Sequence, residues 1–149
     1  MTLKNRINED MKAAMRAREA ERLSAIRMLQ AAIRQREIDE RVEADDALVI
    51  GIVDKLVKQR RDSATQYEQA GRPELAARER AEIDVLSAYL PRQASADEVA
   101  AEIEAAIAAA GATGPQDMGR VMGVLKPRLA GRADMAQVSS QLRSRLAAS

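Results

Sequence analysis

Apolar side chains recur along this chain every three or four residues, the spacing of one helix face, and alternation of the strand type bounded by turn residues is absent. The pattern predicts an all-α protein. A first amphipathic stretch covers about Thr2 to Ala17 and a second about Ala20 to Asp39, where Leu23, Ile26, Leu29 and Ile33 share a face. Neither Gly nor Pro occurs from Arg16 to Arg22, so one long helix from Thr2 to Glu40 fits this region as well as two. Glu43-Ala44-Asp45-Asp46 then places acidic residues where a helix start prefers them, ahead of Val49, Val53, Leu56 and Tyr67. That helix should stop at Gly71, which can take the left-handed C′ conformation, with Pro73 in the first turn of the next. The returning helix, about Pro73 to Leu90, carries Ile83, Leu86 and Leu90 on one side and ends against Pro91.

Beyond Pro91 the predicted helices are shorter, and each opens on a capping-box pattern: Ser95 with Glu98, Thr113 with Gln116, and Asp134 with Gln137. Their apolar faces are Val99, Ile103, Ile107 and Ala110; Met118, Val121, Met122 and Leu125; and Met135, Val138, Leu142 and Leu146. Gly111 and Gly131 serve as stops. Pro127 has no amide hydrogen to donate, so the middle helix is expected to end or kink close to Lys126. The expected organisation is an N-terminal four-helix (or three-helix) module over residues 1–90, a hinge at 91–94 and a compact three-helix domain over 95–149.

Composition removes much chemistry. The 149 residues include no Cys, His, Trp or Phe and only two Tyr, Tyr67 and Tyr89. A disulfide scaffold, a zinc finger, a cysteine nucleophile and an imidazole triad are excluded, as are modules that stack bases on aromatic platforms. Lys and Arg number 24 against 23 Asp and Glu, so any polyanion site must be a local patch. The start, Met1-Thr2-Leu3-Lys4-Asn5-Arg6, lacks a secretory apolar core, and no apolar run approaches the ~18 residues of a membrane span. A cytoplasmic protein without a membrane partner is expected, which the missing cysteines fit.

Charge is unevenly placed. Residues 1–90 hold 17 basic and 17 acidic side chains, whereas residues 111–149 hold Arg120, Lys126, Arg128, Arg132, Arg143 and Arg145 against only Asp117 and Asp134. A patch of this size can contact phosphates. Inside it, Gly119 and Gly123 stand one helical turn apart, each costing about 1 kcal/mol relative to Ala in a helix interior. Close helix packing could offset that cost, and so could the close approach of a sugar-phosphate backbone. Lys55, Lys58, Arg60 and Arg61, interleaved with Asp54 and Asp62, read as a solvated face instead. Glu37, Asp39, Glu40 and Glu43 are dense but lack the spacing of a cation site. No catalytic residue, metal ligand or cofactor is expected.

These residues match a known pattern across nearly the whole chain, which resembles the GatB/YqeY family. Met118-Gly119-Arg120-Val121-Met122-Gly123-Val124-Leu125, followed by Gly131-Arg132-Ala133-Asp134, looks like the tail domain of the B subunit of the glutamine-dependent tRNA amidotransferase. Leu23-Ser24-Ala25-Ile26-Arg27-Met28-Leu29, Lys58-Gln59-Arg60-Arg61-Asp62-Ser63, Gln66-Tyr67-Glu68-Gln69-Ala70-Gly71-Arg72 and Tyr89-Leu90-Pro91 are similar to free-standing YqeY-like proteins. The resemblance implies a break between the first two helices near Arg18 to Ala20. It also implies a module that contacts tRNA, related to a carbon-nitrogen ligase but without its catalytic centre; the basic patch puts the expected contact at Gly119, Arg120, Gly123, Lys126, Arg128 and Arg132. The alternative is a helical module that docks the amidotransferase or another protein with no nucleic acid involved.

Overall fold

The computed structural model describes residues 1–148 and contains seven α-helices, with no strand among the described residues. They are α1 (Leu3–Arg16), α2 (Ala20–Glu40), α3 (Asp46–Gln69), α4 (Pro73–Ser87), α5 (Ala96–Ala110), α6 (Met118–Leu129) and α7 (Met135–Ala147). The chain divides into two compact units, Met1–Leu90 and a second that begins at Pro91.

In the first unit the apolar period of each helix is spent on one core, with Ile7, Ile26, Leu29, Val49, Val53, Val57 and Leu86 all at 0–1% exposure. Each such side chain contributes about 1.5–3 kcal/mol by leaving water. Thr2 caps α1 by accepting from Asn5 N at 3.1 Å, and Asp45 caps α3 by accepting from Leu48 N at 2.9 Å. The break between α1 and α2 is real and has an unusual cause. Glu19 N donates to Ala14 O and Arg18 N to Met15 O, the two bonds of a Schellman stop, and Arg18 sits at φ +58° where glycine would be expected. Arg41, at φ +55°, also closes α2 from the left-handed region, with Arg41 N and Val42 N both donating to Glu37 O. Gly71, at φ +73°, makes the stop of α3 that the sequence announces.

Helix α4 ends at Ser87, short of the expected Leu90, and a turn carries the chain on from there. That turn holds Tyr89, which is buried and donates its hydroxyl to Asp10 Oδ2 at 2.6 Å. Burial, and then the neighbouring Asp10 carboxylate, push the phenol pKa upward. Arg6 covers the ring at 5.0 Å and donates to Ala88 O, so α1 is tied to the exit of α4.

The second unit buries Val99, Ile103, Val121, Leu125, Leu129, Val138, Leu142 and Leu146 together. Ser95 and Glu98 form the expected reciprocal capping box of α5. The Thr113 and Gln116 box does not form. Asp117 accepts from Thr113 N at 2.8 Å and Gly114 N at 3.3 Å instead, because a one-turn 3-10 segment, Pro115–Asp117, precedes α6 and brings the later carboxylate under the turn. Asp134 caps α7 through Ala136 N at 3.0 Å rather than through Gln137. Helix α6 also runs through Pro127 to Leu129 instead of ending near Lys126. The missing donor belongs to the last turn, and its would-be acceptor is on exposed Gly123, where water can take its place. Residues 92–94 are bonded into this unit: Ala94 N donates to Arg132 O at 2.8 Å and Gln93 Nε2 to Gly131 O at 2.7 Å.

Candidate nucleic-acid interface

Helix α6 presents Val121, Leu125 and Leu129 to the core, which turns Gly119, Arg120, Gly123 and Lys126 toward solvent. Both glycines are exposed, and a Cβ built on either meets no atom within 4 Å. Close helix packing within this chain therefore does not account for them. Gly119 lies in the first turn, just after the 3-10 segment, and Gly123 in the helix interior. The result is a strip of bare helix backbone on the outer face.

The basic side chains around it are less available than their segment charge suggests. Arg120 donates to Ala110 O at 3.1 Å and pairs with Asp117. Arg128 faces Glu102 at 3.7 Å, and Arg145 reaches Glu104 at 2.6 Å. Arg132 is held most firmly, since its Nε donates to Arg92 O at 3.0 Å and its Nη2 to Glu98 Oε2 at 3.1 Å. Glu98 in turn takes both guanidinium arms of Arg92 at 2.8 Å. Three acids of α5 thus fold back onto cations more than twenty residues later. Only Lys126 and Arg143 among the six cations are exposed without a hydrogen bond or ion pair.

Two carboxyls in this unit are held ionised. Glu98 is lowered to about 2, first by the Arg92 guanidinium and then by the Ser95 amide. Asp117, 8% exposed, is lowered to about 2 by the Thr113 amide and then by Arg120. Asp117 holds the turn that leads into α6, and Glu98 joins the start of α5 to Arg92 and Arg132. Of the six residues the sequence suggested, Gly119, Arg120, Gly123 and Lys126 share an exposed face of α6, Arg128 leans toward α5, and Arg132 braces the residues before α5.

In the first unit Arg60 and the acids in the last turn of α2 have internal partners. Arg60 is nearly buried, donating to Glu82 at 2.8 Å and to Leu56 O, and it also meets the Met28 sulfur. Glu37 accepts from Lys4 Nζ at 2.6 Å and Ala44 N at 2.8 Å, while Glu40 takes Arg36 and Asp39 takes Gln35. Among the described residues no group of three or more acids is placed to hold a metal, and no helix is long and apolar enough to cross a membrane.

A family model described as Yqey-like protein matches residues 4–146. Curated relatives are named "Altered inheritance of mitochondria protein 41, mitochondrial". The one from Eremothecium gossypii is 36% identical over 102 residues, 66% of this chain and 56% of the relative. Those from Vanderwaltozyma polyspora and Lachancea thermotolerans are each 33% identical, covering 56% and 68% of this chain and 46% and 54% of the relatives. The chain spans about half the length of the curated relatives it matches. These names overturn the expectation of a cytoplasmic protein. An even charge balance and the lack of cysteine and of apolar runs, on which that expectation rested, do not separate one reducing aqueous compartment from another.

Proposed function

We propose that this chain, which belongs to the Yqey-like protein family, is an accessory protein without a catalytic centre of its own that contacts tRNA through the outer face of α6. One observation carries the reading: Gly119 and Gly123 leave bare backbone on an exposed helix face where no side chain of the protein needs the space. A glycine in a helix interior costs about 1 kcal/mol, and the approach of a sugar-phosphate backbone is a use for it that packing does not supply. Lys126 stands beside this strip with its charge uncommitted. The resemblance to the amidotransferase tail supports tRNA as the partner and the tRNA-dependent amidotransferase system as the setting. The four-plus-three helix organisation belongs to the same reading, with the C-terminal helices as the tRNA-contacting part.

Electrostatics enters more weakly than the segment charge implies. With Arg120, Arg128, Arg132 and Arg145 engaged, Lys126 and Arg143 are left to neutralise about two phosphates in this unit, a contribution that weakens by roughly tenfold as salt rises from 50 to 200 mM. Titrating a labelled tRNA at several salt concentrations tests this. Lys126→Ala should flatten the salt dependence by about one unit. An affinity indifferent to salt and to Lys126→Ala leaves the protein-docking alternative as the better account.

A further inference from the structure

Helix α2 is electrically neutral over its length, yet its charges are segregated by face. Arg27, Arg34 and Arg41 recur at intervals of seven residues, two helical turns, so they stand in one row about 10 Å apart, the last at the C-cap. All three are exposed, and none of their guanidinium groups makes a hydrogen bond or ion pair; Arg34 feels Glu37 only at longer range. The positions between them in the row are Ala31 and Ile38. The acids of the helix lie off this row or are committed: Glu37 to Lys4, Asp39 to Gln35 and Glu40 to Arg36.

Beside Arg34, the middle residue of the row, lies a groove of about 240 Å³ between α1 and α2. Asn5, Asn8 and Gln30 line it together with Arg34, the mutually paired Lys4 and Glu37, and the apolar Ile7 and Ile33. We infer that this face of the α1–α2 hairpin is a second polyanion site, and that its occupant is the phosphate backbone of a structured RNA. Charge complementarity selects a polyanion. Guanidinium groups suit it better than ammonium because they grip phosphate oxygens two at a time. The amide-lined groove selects RNA over a lipid surface, since amides can both donate to and accept from ribose hydroxyls. A membrane-binding helix would need an apolar face beside its cations, whereas Ile38 is the only large apolar residue in this row. The inference shares RNA with the reading of α6 but uses other residues, so the two are tested apart.

The experiment titrates a labelled RNA hairpin with a stem of about twelve base pairs into the full chain at several salt concentrations. Arg27→Gln/Arg34→Gln, checked for folding by circular dichroism melts, should weaken binding roughly tenfold at low salt and flatten the salt slope by about 1.4 to 1.8 units. Lys55→Gln/Lys58→Gln on α3 removes the same charge from another face and should leave most of the affinity. Equal losses in the two double variants, or no loss in the first, overturn the inference. So does transfer of the arginine effect to vesicles of phosphatidylserine and phosphatidylcholine without an effect on RNA. Lys126→Ala in the same assay reports on α6 alone, so the α2 site stands if only the arginine variant loses affinity and falls if only the lysine variant does.

Discussion

Replacing Gly123 by Ala separates packing from function on α6. Gly123 is the sixth residue of the twelve in the helix, and a Cβ there meets nothing within 4 Å. Alanine therefore gains about 0.8–1.0 kcal/mol of helix propensity with no steric term against it. For a unit of this size that corresponds to a rise of roughly 4–8 °C in the melting midpoint of the second unit. Gly119, in the first turn, should gain less. Gly51, the sixth residue of α3, has the same open surroundings and supplies a control in the first unit, where Ala should stabilise by a similar amount without touching the candidate interface. Thermal and urea melts followed by circular dichroism measure each change. If the bare strip is used by RNA, Gly123→Ala lowers RNA affinity while raising stability, and Gly51→Ala raises stability alone. A loss of about 1 kcal/mol or more on Gly123→Ala would refute the reasoning, because it would mean that the added methyl group meets a packed neighbour.

Other consequences concern the stops and carboxylates. Arg18→Gly and Arg41→Gly should each stabilise the first unit by about 0.5–1 kcal/mol in denaturant melts, since each relieves a side chain held in the left-handed region. Acid should loosen the second unit. Glu98 and Asp117 both have folded pKa values lowered to about 2, so their contribution is complete above the ordinary carboxylate range near 4 and is lost as the pH falls toward 2. Melts from pH 6 to 2 should show that decline, and Glu98→Gln/Asp117→Asn should remove most of it. Arg132→Ala should lower the melting midpoint more than Lys126→Ala does, because Arg132 bridges Arg92 O and Glu98 while Lys126 bonds to nothing in the fold.

The helices and their buried faces were legible because the apolar period directly encodes which side of a helix leaves water. Ile26, Leu29, Val53, Leu86, Val121 and Leu142 were all expected on core faces and all are buried. The division between α1 and α2 was not legible from the residues themselves, since Arg18 takes a backbone conformation that sequence rules reserve for glycine. The box at Thr113 misled for a related reason: a 3-10 turn delays the start of α6, so Asp117, four residues on, reaches the amide that Gln116 was expected to reach. Charge was the least legible. Counting along the chain set the cations of residues 111–149 apart as a patch, but the fold pairs Arg132 with Glu98 and Arg145 with Glu104, both on α5. The same counting hid Arg27, Arg34 and Arg41, because acids facing other directions cancel them in sequence but not in space.

Whether tRNA meets the bare strip of α6 is best measured by following the backbone amide signals of the isotope-labelled full chain by nuclear magnetic resonance as tRNA is added. The account predicts that the Gly119 and Gly123 signals shift or broaden in the earliest additions together with Lys126, while Gly51 on the first unit's α3 stays in place. Unchanged Gly119 and Gly123 signals under conditions where tRNA is bound would contradict it.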